Sequence, residues 1–368
     1  MTSDPITVAG LAAALDRRFP VASAEAWDRV GLIVGEPDAP VRGVLVTLDA
    51  TAEAVERAHE AGATALVTHH PPFLEMHENV RRQAGPAGTL EAALRLGVAV
   101  ISMHTNLDRS PEGASALPEL LGFRVEEPLE AGTEEVSVII TYAPLSHERA
   151  VRDAMAAAGA GTVGPYDGCA FVSGGAGHFT PGALADPKIA PDEAGVPEAR
   201  IEMVAPRASA RAVLEAARIA HPYEEPVLLA VDAFRSRGIA RLGRVCAWRN
   251  GATVGDLAAH VAGTLGVSVR VWGDCAERVG RIAVANGSAG SLMGRAAALA
   301  DVLVAGEVRY HDALGAVAAG LAVIEAGHDV TEWPLVEVLA RAVADAAGGV
   351  HVSRESARPG WWTMEDDR

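Results

Sequence analysis

Five of the twelve histidines stand just after short apolar runs: His69, His70, His104, His311 and His328. Asp49, Asp108, Glu307 and Glu332 stand beside them, and none of the three cysteines does. Imidazoles and carboxylates without thiolates suit Zn, Fe or Mn better than Ca, Mg or Cu(I). The candidate donors outnumber what one ion needs, which suits a two-metal site. The clearest pair lies in Gly320–Pro334, GLAVIEAGHDVTEWP. Its apolar run Leu321–Ile324 reads as a buried strand ending in a turn at Gly327. Leu335, Val336, Val338, Leu339 and Val343 then read as a helix starting near Thr331, taken as its N-cap. His328 and Glu332 are four residues apart and would share a helix face. The dipole at a helix N-terminus opposes a cation, so the ligands must outweigh it.

Each piece has a blander reading alone. Adjacent residues diverge in a strand, so His69 and His70 need the turn at Pro71-Pro72 to reach neighbouring ions. His104 and Asp108 could cap a helix, with Asn106 and Asp108 as turn-formers. His328 and Glu332 could be a solvated helix start, and Glu307, Tyr310 and His311 a surface loop. Gly174–Gly177 resembles an anion nest but lacks the Lys and Ser/Thr of a P-loop. The metal reading gains from a shared position, because open α/β sheets bind ligands beyond the carboxyl ends of their strands.

The elements that would deliver these residues alternate. Val41–Leu48, Ala63–Val67 and Val98–Ser102 read as strands, with helices over Thr51–Ala61 and Thr89–Leu96. Such alternation indicates βαβ units and a parallel sheet. The rhythm returns after Gly238, with strands at Arg281–Ala285, Asp301–Val304 and Leu321–Ile324. The similar plan of the two stretches suggests a duplicated half. Between them, strands Glu134–Tyr142, Arg200–Ala205 and Val227–Val231 flank helices His147–Gly159 and Ala208–Ala220. A β-α-β … β-α-β order suggests an inserted ferredoxin-like α+β domain. The expected division is 1–130 and 237–368 for the α/β core and 131–236 for the insert.

At 368 residues the chain has room for two or three domains, and its 49% apolar and 21% charged content is ordinary for a globular protein. A formal net charge of −17 argues against nucleic acid as the main partner. Three scattered cysteines, Cys169, Cys246 and Cys275, cannot form a complete disulfide framework and suit a reducing compartment. The N-terminal stretch is broken by Asp16-Arg17-Arg18 and reads as an amphipathic helix, not a signal peptide. No apolar run approaches the roughly 20 residues of a membrane span. A cytoplasmic protein is expected.

Trp27–Gly35 (WDRVGLIVG), Thr68–Phe73 (THHPPF), Ser102–Asp108 (SMHTNLD), Gly306–Leu314 (GEVRYHDAL) and Glu325–Glu332 (EAGHDVTE) resemble the signature segments of the Nif-three-like family. Its members are dinuclear-metal-centre hexameric proteins labelled GTP cyclohydrolase 1 type 2 homologues. GPYDGCAFVSGGAGHFTP and AHPYEEPV resemble the PII/CutA-like insert of the longer members. The likeness runs over nearly the whole chain. It implies a duplicated α/β core with metal ligands at His69, His70, Asp108, His328 and Glu332, the last bridging two divalent ions of Zn, Fe or Mn. It implies His104 as an unligated neighbour suited to proton transfer, and a toroidal homohexamer. Glu307 replaces the family's Asp in GD-x-(K/R)-YH, and the preceding glycine-rich segment reads ANGSAGS.

The resulting expectation is a metal-dependent hydrolase, of the GTP cyclohydrolase or phosphoesterase kind. Its two ions, roughly 3.5–4 Å apart, would lower the pKa of a shared water and so supply a bridging hydroxide. The alternative is a non-enzymatic metal-binding or regulatory hexamer whose insert senses a small effector.

Overall fold

A computed structural model describes residues 6–25, 27–74, 85–164, 166–185, 189 and 195–356. The chain divides into two compact units: Met1–Ala131 with Gly238–Arg368, and Gly132–Arg237.

The first unit holds two sheets with one plan. In the first sheet, strands Gly43–Asp49, Ala65–His70 and Ala99–Ser102 run parallel, and the preceding strand Gly31–Val34 returns antiparallel against Ala99–Ser102. In the second, Ile282–Val284, Val302–Ala305 and Ala322–Glu325 run parallel, with the preceding Arg270–Trp272 antiparallel against Ala322–Glu325. The chain therefore traces the same four-strand path twice. Each sheet then adds its own edge. His351–Arg354 lies parallel to Gly43–Asp49, while Arg244–Ala247 and Arg124–Pro128 extend the second sheet antiparallel.

The central strands are apolar on both faces, as parallel strands covered on both sides must be. Alternate residues feed separate cores. Val44, Val46, Leu48, Ala65, Val67, Ala99 and Ile101 pack on one face of the first sheet, and Leu45, Leu66 and Val100 on the other. In the second sheet Ile282, Val284, Val302, Val304 and Ile324 face one core, and Ala283, Leu303, Ala305 and Val323 the other.

The helices cross over. The helix His328–Ala346 leaves the last strand of the second sheet, yet Leu335, Val336, Leu339 and Val343 join the core of the first. Reciprocally, the helix Pro111–Leu120 follows the last parallel strand of the first sheet and sends Leu117 into the core of the second. Ser110 caps that helix by accepting from Gly113 N, with Pro111 at its first position. This exchange brings the carboxyl ends of the two sheets to one cavity.

The second unit is a four-stranded antiparallel sheet. Its order is Phe171–Gly177, Val196–Pro206, Thr133–Pro144, Leu228–Ser236, so the first strand in sequence lies between the third and the fourth. Helices Glu148–Ala157 and Ala210–Ala220 bury Val151, Met155, Val213 and Ala217 against Ile139, Ile201 and Met203. The glycine-rich stretch is thus an edge strand, with Gly174 opposite Ala199 and Gly175 opposite Glu198, and not an anion nest. No helix of the described residues is long and apolar enough to cross a membrane.

Candidate metal centre

Beyond the carboxyl ends of the two parallel sets lies a cavity of about 840 Å³. His70, His104, Asp108, His328 and Glu332 all line it, and His69, fully buried, has its ring centroid 4.8 Å from that of His70 and 5.1 Å from that of His104. The strand Ala65–His70 supplies His69 and His70, whose ring centroids are 4.8 Å apart despite their adjacency, because the strand ends there and the chain turns into Pro71. His104 precedes the short helix Thr105–Arg109, which carries Asp108. His328 opens the helix that carries Glu332. In each half an imidazole and a carboxylate four residues apart follow the last parallel strand. The duplicated path has produced two matching half-sites.

Thr331 is not the N-cap expected from the sequence. The helix begins three residues earlier, at His328, with Gly327 as cap residue. Thr331 lies inside the first turn, where its hydroxyl donates back to the Gly327 and His328 carbonyls and accepts from Gly287 N at 3.0 Å. Its small hydroxyl pins the neighbouring loop instead of starting the helix. His311 also departs from the strand-end set: it lies exposed on the helix Tyr310–Ala318, outside the cavity.

Each of the four site imidazoles has an acceptor behind its Nδ1. His69 donates to the Met103 carbonyl at 2.9 Å and His70 to Asp49 Oδ1 at 2.8 Å. His104 donates to Asp28 Oδ1 at 2.8 Å and His328 to Glu307 Oε1 at 3.0 Å. A carbonyl or carboxylate oxygen can only accept, so the proton of each neutral ring resides on Nδ1. The Nε2 lone pairs are left for the cavity. This is the arrangement that orients histidine ligands in metal sites.

The cavity side of those rings is short of hydrogen bonds. His69 Nε2 is buried without a hydrogen-bond partner, 3.6 Å from Asp108 Oδ2 and 3.7 Å from Glu332 Oε1. Glu332 Oε2 lies 2.8 Å from His70 Nε2 but out of line for a hydrogen bond, and Oε1 lies 3.1 Å from His328 Nε2. Buried polar atoms facing one another without proper bonds fit a cation between them. Three donor sets have atoms mutually within 4.8 Å: His69, His70 and His104; His70, His328 and Glu332; His69, Asp108 and Glu332.

The charges are strongly coupled. Burial works to raise the Glu332 carboxyl, but the surrounding imidazoles of His328, His69 and His70 outweigh it and hold Glu332 well below the usual range. Burial would lower His70, yet Asp49 and Glu332 raise it to about 10. Glu332 is the main cause raising His328 to about 9, against burial and helped by Glu307. Burial pushes the Asp108 carboxyl up, with His69 opposing. Asp28 resists its own burial through His104 and Thr105 and is held at about 2.

Two glycines let the loops approach. A Cβ on Gly287, which has φ +53°, would stand 2.1 Å from Glu332 Oε1 and 3.0 Å from His328 Nε2. A Cβ on Gly306 would stand 2.6 Å from Thr331 Oγ1 and 2.7 Å from both the Gly287 carbonyl and His328 Cα. Asn286, beside the first glycine, directs its amide toward Asp108 Oδ1 at 3.4 Å. Buried Arg109 ties down the segment before Asp28, donating to the Ser23 carbonyl at 3.1 Å and pairing with Glu25 at 2.7 Å and Glu130 at 2.9 Å. The role of Asp28 was hidden in the sequence, since 76 residues separate it from His104; the adjoining Trp27 and Gly31 marked the segment but not the contact.

A pH dependence follows. Without metal, His70 and His328 carry protons at neutral pH, and their contribution to stability is fully present below their ordinary value of about 6.5. That contribution is lost as pH rises through about 9 for His328 and about 10 for His70. A cation must displace those protons, so its apparent affinity should climb with pH up to that window, by as much as roughly tenfold per unit for each proton displaced. Metal titrations at pH 6, 7 and 8 check this, and a flat profile would contradict it.

The sequence profile described as Duf34/NIF3 (NGG1p interacting factor 3) matches residues 6–359. The chain is 33% identical over 331 residues to a Mycobacterium leprae protein named GTP cyclohydrolase 1 type 2 homolog, covering 87% of this chain and 85% of that one. It is 35% identical over 318 residues to the Bacillus subtilis protein of the same name, covering 84% of each. The crystal structure of a Bacillus cereus protein related to NIF3 superposes with a TM-score of 0.66 at 29% identity, over 98% of this chain and all of that one.

Proposed function

We propose, for a chain that belongs to the Duf34/NIF3 (NGG1p interacting factor 3) family, that it is a metal-dependent hydrolase built on a two-cation centre. The observation that carries this reading is the set of imidazoles turned by the acceptors behind them so that their Nε2 atoms meet in one cavity. Glu332 belongs to two of the donor sets, with His70 and His328 in one and His69 and Asp108 in the other. A carboxylate shared in that way suits a bridge between two ions. The thiolate-free set suits Zn, Fe or Mn. Bound there, such cations supply Lewis acidity, polarising an electrophile and making water more acidic. The relatives' name makes ring-opening of GTP one candidate reaction. Phosphoester and amide hydrolysis are the others.

The chain's own groups have separable tasks. Asp28 fixes the Nδ1–H form of His104, leaving Nε2 to take a proton from a reacting group and return it. Trp27, 52% exposed on the cavity wall, lies edge-on to His104 at 5.9 Å and limits water beside it. Arg309, also on the wall and paired with Asp312 at 2.8 Å, would have to share its charge with an anionic substrate. Replacing Asp28 by Asn should slow turnover by about 10–100-fold through the wrong tautomer of His104. Metal content should stay unchanged and the pH–rate profile should shift, whereas parallel loss of metal would remove this role.

The test is turnover by protein loaded with Zn, Fe(II) or Mn, against GTP and p-nitrophenyl phosphate, beside His328→Ala. Activity lost in the variant supports the hydrolase. Tight metal binding with no turnover of any substrate replaces it with the non-enzymatic metal-binding reading. The homohexamer implied by the sequence resemblance belongs to the same proposal, and light scattering by the purified chain tests it.

A further inference from the structure

Two sequence motifs remain without a task in the metal centre: GGAGHFTP and HPYEEPV. In the Gly132–Arg237 unit they wall a single cavity of about 390 Å³. Its size falls within the roughly 300–1,000 Å³ of small-molecule sites. Phe179 comes from the first motif and Tyr223 from the second, with ring centroids 6.0 Å apart and planes at 65°. Glu198, from the central strand Val196–Pro206, sits at their base and accepts the Tyr223 hydroxyl at 2.6 Å. Gly177 makes that pose possible, because a Cβ there would stand 2.3 Å from the Glu198 carboxylate. His221 orients the second motif, accepting from Tyr223 N at 3.0 Å while its Nε2 meets the Tyr142 carbonyl at 2.8 Å.

We propose that this cavity binds a small organic ammonium ion, held between the rings of Phe179 and Tyr223 and the carboxylate of Glu198. The charge of the lining decides the sign of the ligand. Glu198 presents a carboxylate to the cavity beside the two rings, and no Lys or Arg is among its described lining residues. The guanidinium of Arg200, 6.0 Å from the Tyr142 ring, is already paired with Glu202 at 2.9 Å. A bare metal ion fits poorly: among the described residues, the groups of donors close enough to share one all lie in the core centre. Aromatic rings beside a carboxylate, in a space far larger than an ion, match the recognition of alkylammonium groups. This site goes beyond the hydrolase reading and stands independently of it.

The full chain is titrated calorimetrically with choline and with putrescine, and with ADP as an anionic control. Saturable binding of either cation is expected. Phe179→Ala should weaken it by about tenfold or more through loss of the ring. Glu198→Gln should weaken it comparably while keeping the Tyr223 hydrogen bond. Phe179 is 38% exposed, so its truncation should leave the melting temperature nearly unchanged. Glu332→Gln, in the core centre, should leave cation binding untouched. The proposal is overturned if neither cation binds at concentrations up to about 10 mM, beyond millimolar affinity. Unchanged affinity in both cavity variants, or ADP displacing the cation, overturns it equally.

Discussion

Glu332→Gln should strip the protein of metal while leaving it folded. The side chain keeps its shape but loses the charge that faces His69, His70 and His328 at once. Because Glu332 is common to two donor sets, its loss removes one ligand from each, and affinity should fall by at least the roughly 10–100-fold seen for lesser, outer partners. Elemental analysis of untreated protein reads this directly. Metal retained at wild-type stoichiometry would end the bridging role. The metal-free variant should also respond differently to pH. Without the carboxylate, His70 and His328 lose the partner that raises them, so they shed their protons nearer to their ordinary value. The stabilisation that metal-free wild type keeps up to about pH 9 should therefore vanish earlier. The imidazoles can escape by becoming neutral, which limits the cost at neutral pH to about 1–3 kcal/mol, as for an unsatisfied buried polar group.

Gly287→Ala should do similar damage without touching a ligand. Its Cβ would lie 2.1 Å from Glu332 Oε1, so either the carboxylate or the loop must move. Positive φ adds a backbone cost of roughly 1–2 kcal/mol for a residue with a side chain. The main effect is geometric, since Glu332 is shared by two donor sets and its displacement disturbs both. Metal affinity should drop by about two orders of magnitude, as when a supporting contact to a ligand is lost outright. A modest fall in melting temperature should accompany it. Normal metal content in this variant would show that the loop yields and that the glycine serves only its turn. Gly306→Ala should be worse for folding, because its Cβ meets backbone atoms of two other segments.

The sequence was legible where a local pattern carried the information. Runs such as Val44–Leu48 and Val302–Val304 alternate between two cores and read as buried strands, and the histidines at their ends read as a site. The spacing of His328 and Glu332 put both on one helix face, which the 3.1 Å separation bears out. The start of that helix was misplaced because Thr331 looks like a cap, whereas the requirement met by its hydroxyl is to hold Gly287 N from a distant loop. His311 resembled the other strand-end histidines in sequence, but the chain has already entered a surface helix there. The pairing of acceptors behind the imidazoles was the least visible. Asp49 and Glu307 stood out beside the strand-end histidines and Asp28 did not, but their contacts span 21, 21 and 76 residues, and no periodicity encodes such a contact. The two insert motifs stood out as text, yet only the sheet order shows that they share a cavity.

The exchanged helices also bear on how the chain is made. One face of the first sheet is covered by the helix His328–Ala346, and its outer edge is completed by His351–Arg354. During synthesis the strands from Gly43 to Ser102 emerge long before either piece exists. Until then the helix Val8–Arg18 shares that core without the later helix, and an apolar sheet face left partly uncovered on the ribosome is an invitation to aggregate. The early half therefore waits, shielded by other proteins or loosely collapsed, until the chain up to Arg354 has been translated.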